Sequence, residues 1–188
     1  MAYGYQIRET VNCQPKRILE IGIGSMIVSR ILKELGFSVT TLDHNRNLHP
    51  DIVASVTDMP LDDSSFELVL CCEVLEHIPY HKFERALDEI HRVSERWLVM
   101  TLPDMGRFYC VEAKVPLMSR VRRLSVECPF LFPQKHEFDG EHYWEIGKKD
   151  YSLDRIRKSV ETAGFTIEKT YRMREIPWHR MFVAHKAS

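Results

Sequence analysis

"RILEIGIGSMIVSRILKELG", residues 17–36, is the stretch on which the fold turns. An apolar run that reads as a buried strand contains Glu20, then Gly22 and Gly24 at alternate positions, then a helical pattern with Ile27, Ile31, Leu32 and Leu35 on the apolar side. Gly36 stops that helix. Strand, glycine turn and helix in this order open a βαβ unit whose turn lets a ligand approach the backbone. A nicotinamide fingerprint wants glycine at the first, third and sixth positions, and the sixth from Gly22 is Ile27.

Outward from the turn, the pattern repeats. "FSVTTLD" is a β-branched strand ending in Asp43, "DIVASV" a shorter one, "FELVLCC" a strongly buried one and "RWLVMTLP" another. Residues 80–93 form a helix with Phe83, Leu87, Ile90 and His91 on one side. Strands this continuously apolar are covered on both faces, which is the signature of a doubly wound, mostly parallel, Rossmann-like sheet. Residues 104–150 are irregular in texture. "SLDRIRKSVETAG" is then a helix with a Ser cap and a Gly stop, and "FTIEKTYRMR" and "RMFVAHK" close the sheet as a hairpin with an antiparallel edge strand. The expectation is one α/β domain over 1–188 with seven strands: a core at 16–103, an insertion at 104–150 and a closing helix and hairpin at 151–188.

Composition bounds the rest. Of the 188 residues, 44% are hydrophobic and 28% charged, with a formal net charge of −1. That charge gives no global attraction to nucleic acid or an acidic membrane. No apolar run approaches the roughly 18 residues of a membrane span, and the first residues are too polar for a signal peptide. The five cysteines match no zinc or redox spacing, and Cys71–Cys72 lies in a buried strand. A cytoplasmic, reduced protein is expected, with no membrane insertion.

The charges at the turn identify the ligand. Asp43, 23 residues after Glu20, ends the second strand, where a carboxylate accepts hydrogen bonds from both ribose hydroxyls. His44, next in sequence, is grouped with it. Glu20 would repel a pyrophosphate but attract an amino-acid ammonium group. S-adenosylmethionine carries a ribose and an ammonium and no phosphate.

On "EIGIGSM", Asp43, "DMPLDDSSFELV" and "EVLEHI", four segments in order, the chain resembles the class I S-adenosylmethionine-dependent methyltransferases of the type 11 kind. It departs from them where a third glycine often stands. The resemblance implies Asp58 on the adenine amino group, Met59 against the ring and Glu73 toward the methionine part of the cofactor.

Methyl transfer from a sulfonium is an in-line displacement in which the protein aligns the nucleophile and excludes water. A hydroxyl acceptor gains from a base or a metal that lowers its pKa. Glu73, Glu76 and His77 follow the fourth strand, and His77 is the candidate base. "E-x-x-E-H" also resembles the metal-binding segment of ubiquinone-pathway and small-RNA 2′-O-methyltransferases; the latter add a downstream histidine, for which this chain offers His142, with His136 nearby. The alternative places Glu73 on the cofactor and His142 in the acceptor pocket, and no metal is assigned. In the insertion, Arg120, Arg122 and Arg123 can grip an anion or simply face solvent. Tyr143 and Trp144 can stack on an acceptor or close the core.

The function expected is O-methylation of a small-molecule or glycan-like acceptor. The alternatives are an RNA-directed 2′-O-methyltransferase, which the charge disfavours, and a catalytically silent cofactor-binding module. His77 and His142 are expected to face one cavity. With few residues before the first strand, the insertion or a second subunit, as in a homodimer, is expected to cover the site.

Overall fold

The computed structural model describes residues 2–114, 121–127 and 133–187. Seven strands make one sheet: β1 (Arg17–Ile21), β2 (Ser38–Asp43), β3 (Ile52–Val53), β4 (Phe66–Cys72), β5 (Ser94–Pro103), β8 (Phe165–Arg172) and β9 (His179–Lys186). Their order is β3-β2-β1-β4-β5-β9-β8. The first five run parallel, and β9 is antiparallel to both β5 and β8. The chain winds outward from β1 to β3 and then returns to β4 on the other side of β1. That reversal opens a crevice at the carboxyl ends of β1 and β4.

Alternate residues of the central strands feed two cores. Leu19, Val69, Cys71, Leu98 and Met100 pack with Phe83, Leu87 and Ile90 of α3 (Tyr80–Val93) and Ile156 and Val160 of α4 (Leu153–Thr162). Ile18, Leu68, Leu70 and Val99 pack with Val28 and Leu32 of α2 (Ile27–Glu34), with Tyr5, Ile7 and Val11 of α1 (Ala2–Asn12) at the margin. Both faces are covered, which is why these strands carry no polar alternation.

Three expectations change. Helix α1 had no hydrophobic period to announce it, because the residues it buries are Gln6, Glu9 and Thr10. Glu9 fastens it to β8, accepting from the Tyr171 hydroxyl at 2.5 Å and pairing with Lys169 at 2.6 Å. Of the apolar residues in α2 and at its C-terminal cap, Leu32 is fully buried, but Ile27, Ile31 and Leu35 are exposed and Val28 takes the inward place. Two helical stripes overlap in that sequence, and the sheet takes the one that includes small Ser29. Within the insertion, β6 (Phe108–Lys114) and β7 (Val121–Glu127) pair as an antiparallel hairpin. Arg120 and Cys128 lie outside the described residues, as do the side chains of Arg122 and Arg123.

Trp144 closes the core: it is fully buried, edge-on to Phe83 at 4.8 Å, and donates from Nε1 to the Ile78 carbonyl at 3.1 Å. Tyr143 stays partly exposed beside Phe138. The Ser152 hydroxyl caps α4 by accepting from the Arg155 amide. Among the described residues, no helix is long and apolar enough to cross a membrane.

Candidate active site

A cavity of about 910 Å³ opens at the crevice, and the ends of β1, β2 and β4 line it. Of the residues expected at the cofactor, Glu20, Gly22, Gly24, Asp43, His44 and Glu73 are on its wall. Asp58 and Met59 are not. The backbone turns back there, with the Asp58 amide donating to the Ser55 carbonyl at 3.1 Å, and Asp58 is exposed. Met59 is drawn to α3: its amide donates to Glu89, its carbonyl accepts from Arg92, and its side chain joins the core. Ser55 and Val56 line the cavity in their stead.

The turn is built by backbone geometry. Gly22 (φ 77) and Gly24 (φ 43) are left-handed, and so is Met26 (φ 59), where the sequence departs from the third glycine that the resemblance would lead one to expect. A methionine there bears the strain that a glycine would avoid. The two glycines differ in what they exclude. A Cβ on Gly22 would lie 2.1 Å from Val74 Cγ2, whereas one on Gly24 would meet nothing within 4 Å. Gly22 is therefore required by the protein's own packing, and Gly24 keeps the wall open. Gly22→Ala is expected to cost about 1–3 kcal/mol through overpacking and left-handed strain. Thermal unfolding checks this, and an unchanged Tm would mean that Val74 can step aside.

Asp43 is buried and holds the turn. Its Oδ2 accepts from the Ile23 amide at 3.1 Å and its Oδ1 from the Asn45 amide at 2.8 Å. His44 is exposed, its Nδ1 3.4 Å from Asp43. Glu20 is 5% exposed, and its Oε2 has no hydrogen-bond partner among the described residues. Burial pushes its carboxyl up to about 7. A cavity with one unsatisfied buried carboxylate, one charged acceptor at the end of β2 and an open glycine wall fits the ammonium and ribose of S-adenosylmethionine.

At the far end of the cavity the chain after β4 turns sharply. Glu73 is left-handed (φ 54), its Oε2 is 2.9 Å from His179 Nδ1, and its Oε1 is buried without a partner. The single turn Leu75–His77 follows. Glu76 is fully buried with neither oxygen partnered, and burial together with the Glu73 carboxylate drives its carboxyl well above the usual range. The rings of His77 and His142 lie 5.1 Å apart, edge to face. His77 Nδ1 is 3.0 Å from the Glu141 carbonyl, and His142 Nδ1 is 2.9 Å from Glu145 Oε1. His77 lines the cavity and His142 stands beside it. His136 is turned away from this pair, with Nε2 on the His142 carbonyl.

Cover comes from within the chain. Ala2, Tyr3 and Gln6 of α1, Ile176, and His179 at the start of β9 contribute to the wall from within the chain. His179, Glu145 and the α1 residues were missed from sequence; only their surroundings in space bring them to the site.

The sheet order, the crevice and the glycine turn are those of the class I methyltransferase fold. Residues 19–96 match the family model for a methyltransferase domain. The uncharacterized protein MJ0638 of Methanocaldococcus jannaschii is 35% identical over 83 residues. That match covers 40% of this chain and 35% of the relative, so the chain spans about a third of that protein's length. Among solved structures, the 1,6-didemethyltoxoflavin-N1-methyltransferase of Burkholderia thailandensis, with its namesake ligand and S-adenosylhomocysteine bound, aligns with TM-score 0.64 and 15% identity. It covers 100% of this chain and 79% of that one. The glycopeptide N-methyltransferase MtfA, complexed with S-adenosylhomocysteine, aligns with TM-score 0.67 and 11% identity, covering 98% and 90%. At these identities the structural likeness is one of fold.

Proposed function

We propose that the protein transfers the methyl group of S-adenosylmethionine to oxygen on a small-molecule or glycan-like acceptor. The observation that carries this reading is the pairing of the Glu20–Asp43 cavity with His77 at its far end and His142 in edge contact beside it. Glu20 binds the ammonium, Asp43 and His44 sit at the ribose, Ser55 and Val56 border the adenine, and Glu73 faces the methionine part. When bound, the cofactor supplies an electrophilic methyl group on a sulfonium leaving group. His77 and His142 activate the acceptor hydroxyl, which a neutral amine would not require. The formal charge of −1 supports a small acceptor over an extended nucleic acid. Incubation with methyl-labelled cofactor and a fractionated cell extract tests this. Label is expected in the small-molecule fraction and, after hydrolysis, on oxygen. Label confined to RNA, or no transfer at all, would overturn it.

The Glu20 carboxyl adds a pH signature. An acid raised from its ordinary value to about 7 binds a proton in the folded state that the unfolded chain has released. Stability of the free protein therefore falls as pH rises from about 4.5 to 7. An ammonium bound beside Glu20 displaces that proton, so cofactor affinity rises with pH across the same window, by up to about tenfold per unit. Calorimetric titrations from pH 5.5 to 7.5 check this, with Glu20→Gln expected to give a weaker and flat profile. A flat wild-type profile would remove Glu20 from the ammonium site.

A further inference from the structure

We propose that Glu76, His77 and His142 bind a divalent transition-metal cation. The inference deepens the reading above: the cation would supply positive charge where the acceptor oxygen turns negative, with the imidazoles holding it in place.

Glu76 is the starting point. Its side chain is fully buried, and neither oxygen has a hydrogen-bond partner among the described residues. A buried carboxylate left bare costs several kcal/mol, and proteins offset that cost with a paired cation or a metal. No Lys or Arg reaches it among the described ion pairs. Beside it stand the Glu73 carboxyl and a pair of imidazoles, and one Glu76 oxygen and one ring nitrogen from each of His77 and His142 lie within 4.8 Å of one another.

The histidines are prepared as ligands. His77 Nδ1 meets a backbone carbonyl and His142 Nδ1 meets the Glu145 carboxylate, at 3.0 and 2.9 Å. Both partners are acceptors, so each Nδ1 carries the proton and each Nε2 keeps a free lone pair. Outer carboxylates and carbonyls of this kind hold metal-ligating histidines in orientation. The two halves of the site are also stitched together. The Tyr143 amide donates to the Glu76 carbonyl at 2.8 Å, and Asp139 Oδ1 accepts from the Glu141 and His142 amides at 2.9 and 2.7 Å.

Two imidazoles and one carboxylate suit Zn²⁺, Co²⁺ or Mn²⁺ better than Mg²⁺ or Ca²⁺, which favour oxygen throughout. Three protein ligands leave a position for the acceptor. Glu73 is outside the set: its carboxyl does not join the cluster that Glu76, His77 and His142 form, and its Oε2 is paired with His179. A second grouping, Asp139, His142 and Glu145, competes for the same imidazole, but Asp139 is exposed and already engaged with the two amides.

The test uses the full chain stripped with chelator, without cofactor or acceptor, so its result is independent of methyl transfer. Visible absorption of added Co²⁺ and calorimetry with Zn²⁺ are expected to show one site. Glu76→Gln, which preserves shape and removes charge, should weaken binding by roughly 100-fold or more, as should His77→Ala and His142→Ala. Glu145→Gln should weaken it by roughly 10–100-fold while leaving the ligand set and its Co²⁺ spectrum in place. Wild type that takes up no Co²⁺ or Zn²⁺, or Glu76→Gln that binds as wild type, would overturn the proposal. So would loss of binding in Glu145→Gln alone, which would move the ion to the second grouping. A separate titration with S-adenosylhomocysteine reports on the cofactor site whichever way the metal result falls.

Discussion

Replacing His77 by alanine is expected to lower kcat by roughly 10²–10⁴ while leaving cofactor affinity nearly unchanged, as for loss of the group that activates the nucleophile. The split follows from where the residues stand. Glu20 and Asp43 line the proposed cofactor cavity from the ends of β1 and β2, whereas His77 comes from the turn after β4 and is tied to the insertion through Glu141. His142→Ala should lose a similar amount, because the two rings are in edge contact and share one task. Residues that act as a unit are not additive, so the double variant should be little worse than either single one. The acceptor for these assays is whatever takes up label from the fractionated extract. Wild-type kcat in His77→Ala would leave proximity and orientation as the whole mechanism.

Much of this architecture was legible because it obeys one physical rule. Strands β1, β2, β4 and β5 are buried on both faces over most of their length and so read as apolar or β-branched runs without strict alternation, and the glycine turn stands where the first strand ends. The failures share a cause as well. Helix α1 buries Gln6, Glu9 and Thr10, so a hydrophobic period could not reveal it. Asp58 and Met59 lie one turn past the cavity because Glu89 and Arg92 of α3 hold that segment, a contact made across about thirty residues of sequence. Buried Asp104, which pairs with Arg172 and with Arg180 at 2.5 and 2.6 Å, joins partners 68 and 76 residues away. No local pattern encodes such a triad. His77 and His142 were brought together from sequence only by expecting the insertion to cross the carboxyl edge of the sheet. The structure adds what orients them, Glu141 and Glu145.

Asp43→Ala is expected to weaken S-adenosylmethionine binding by about 1.5–3 kcal/mol, which is a factor of roughly 10 to 150. On the proposed reading this carboxylate has two duties, of which the structure shows the second. One is to accept charge-assisted hydrogen bonds from the ribose; the other is to hold the Ile23 and Asn45 amides, which shapes the glycine turn. Alanine removes both, and the buried Ile23 N–H and the part-buried Asn45 N–H lose their acceptor, so Tm should fall as well. Asp43→Asn separates the two. The asparagine side-chain oxygen can still accept from one amide, but the charge facing the ribose is gone. Its Tm should therefore lie between wild type and alanine, while its affinity should fall most of the way toward the alanine value. Comparison with adenosine, which keeps the ribose and lacks the methionine part, locates the effect: Asp43→Asn should weaken it, and Glu20→Gln should not. A folded Asp43→Ala protein that binds cofactor as wild type does would leave the carboxylate a scaffold for the turn and remove the ribose contact from the site.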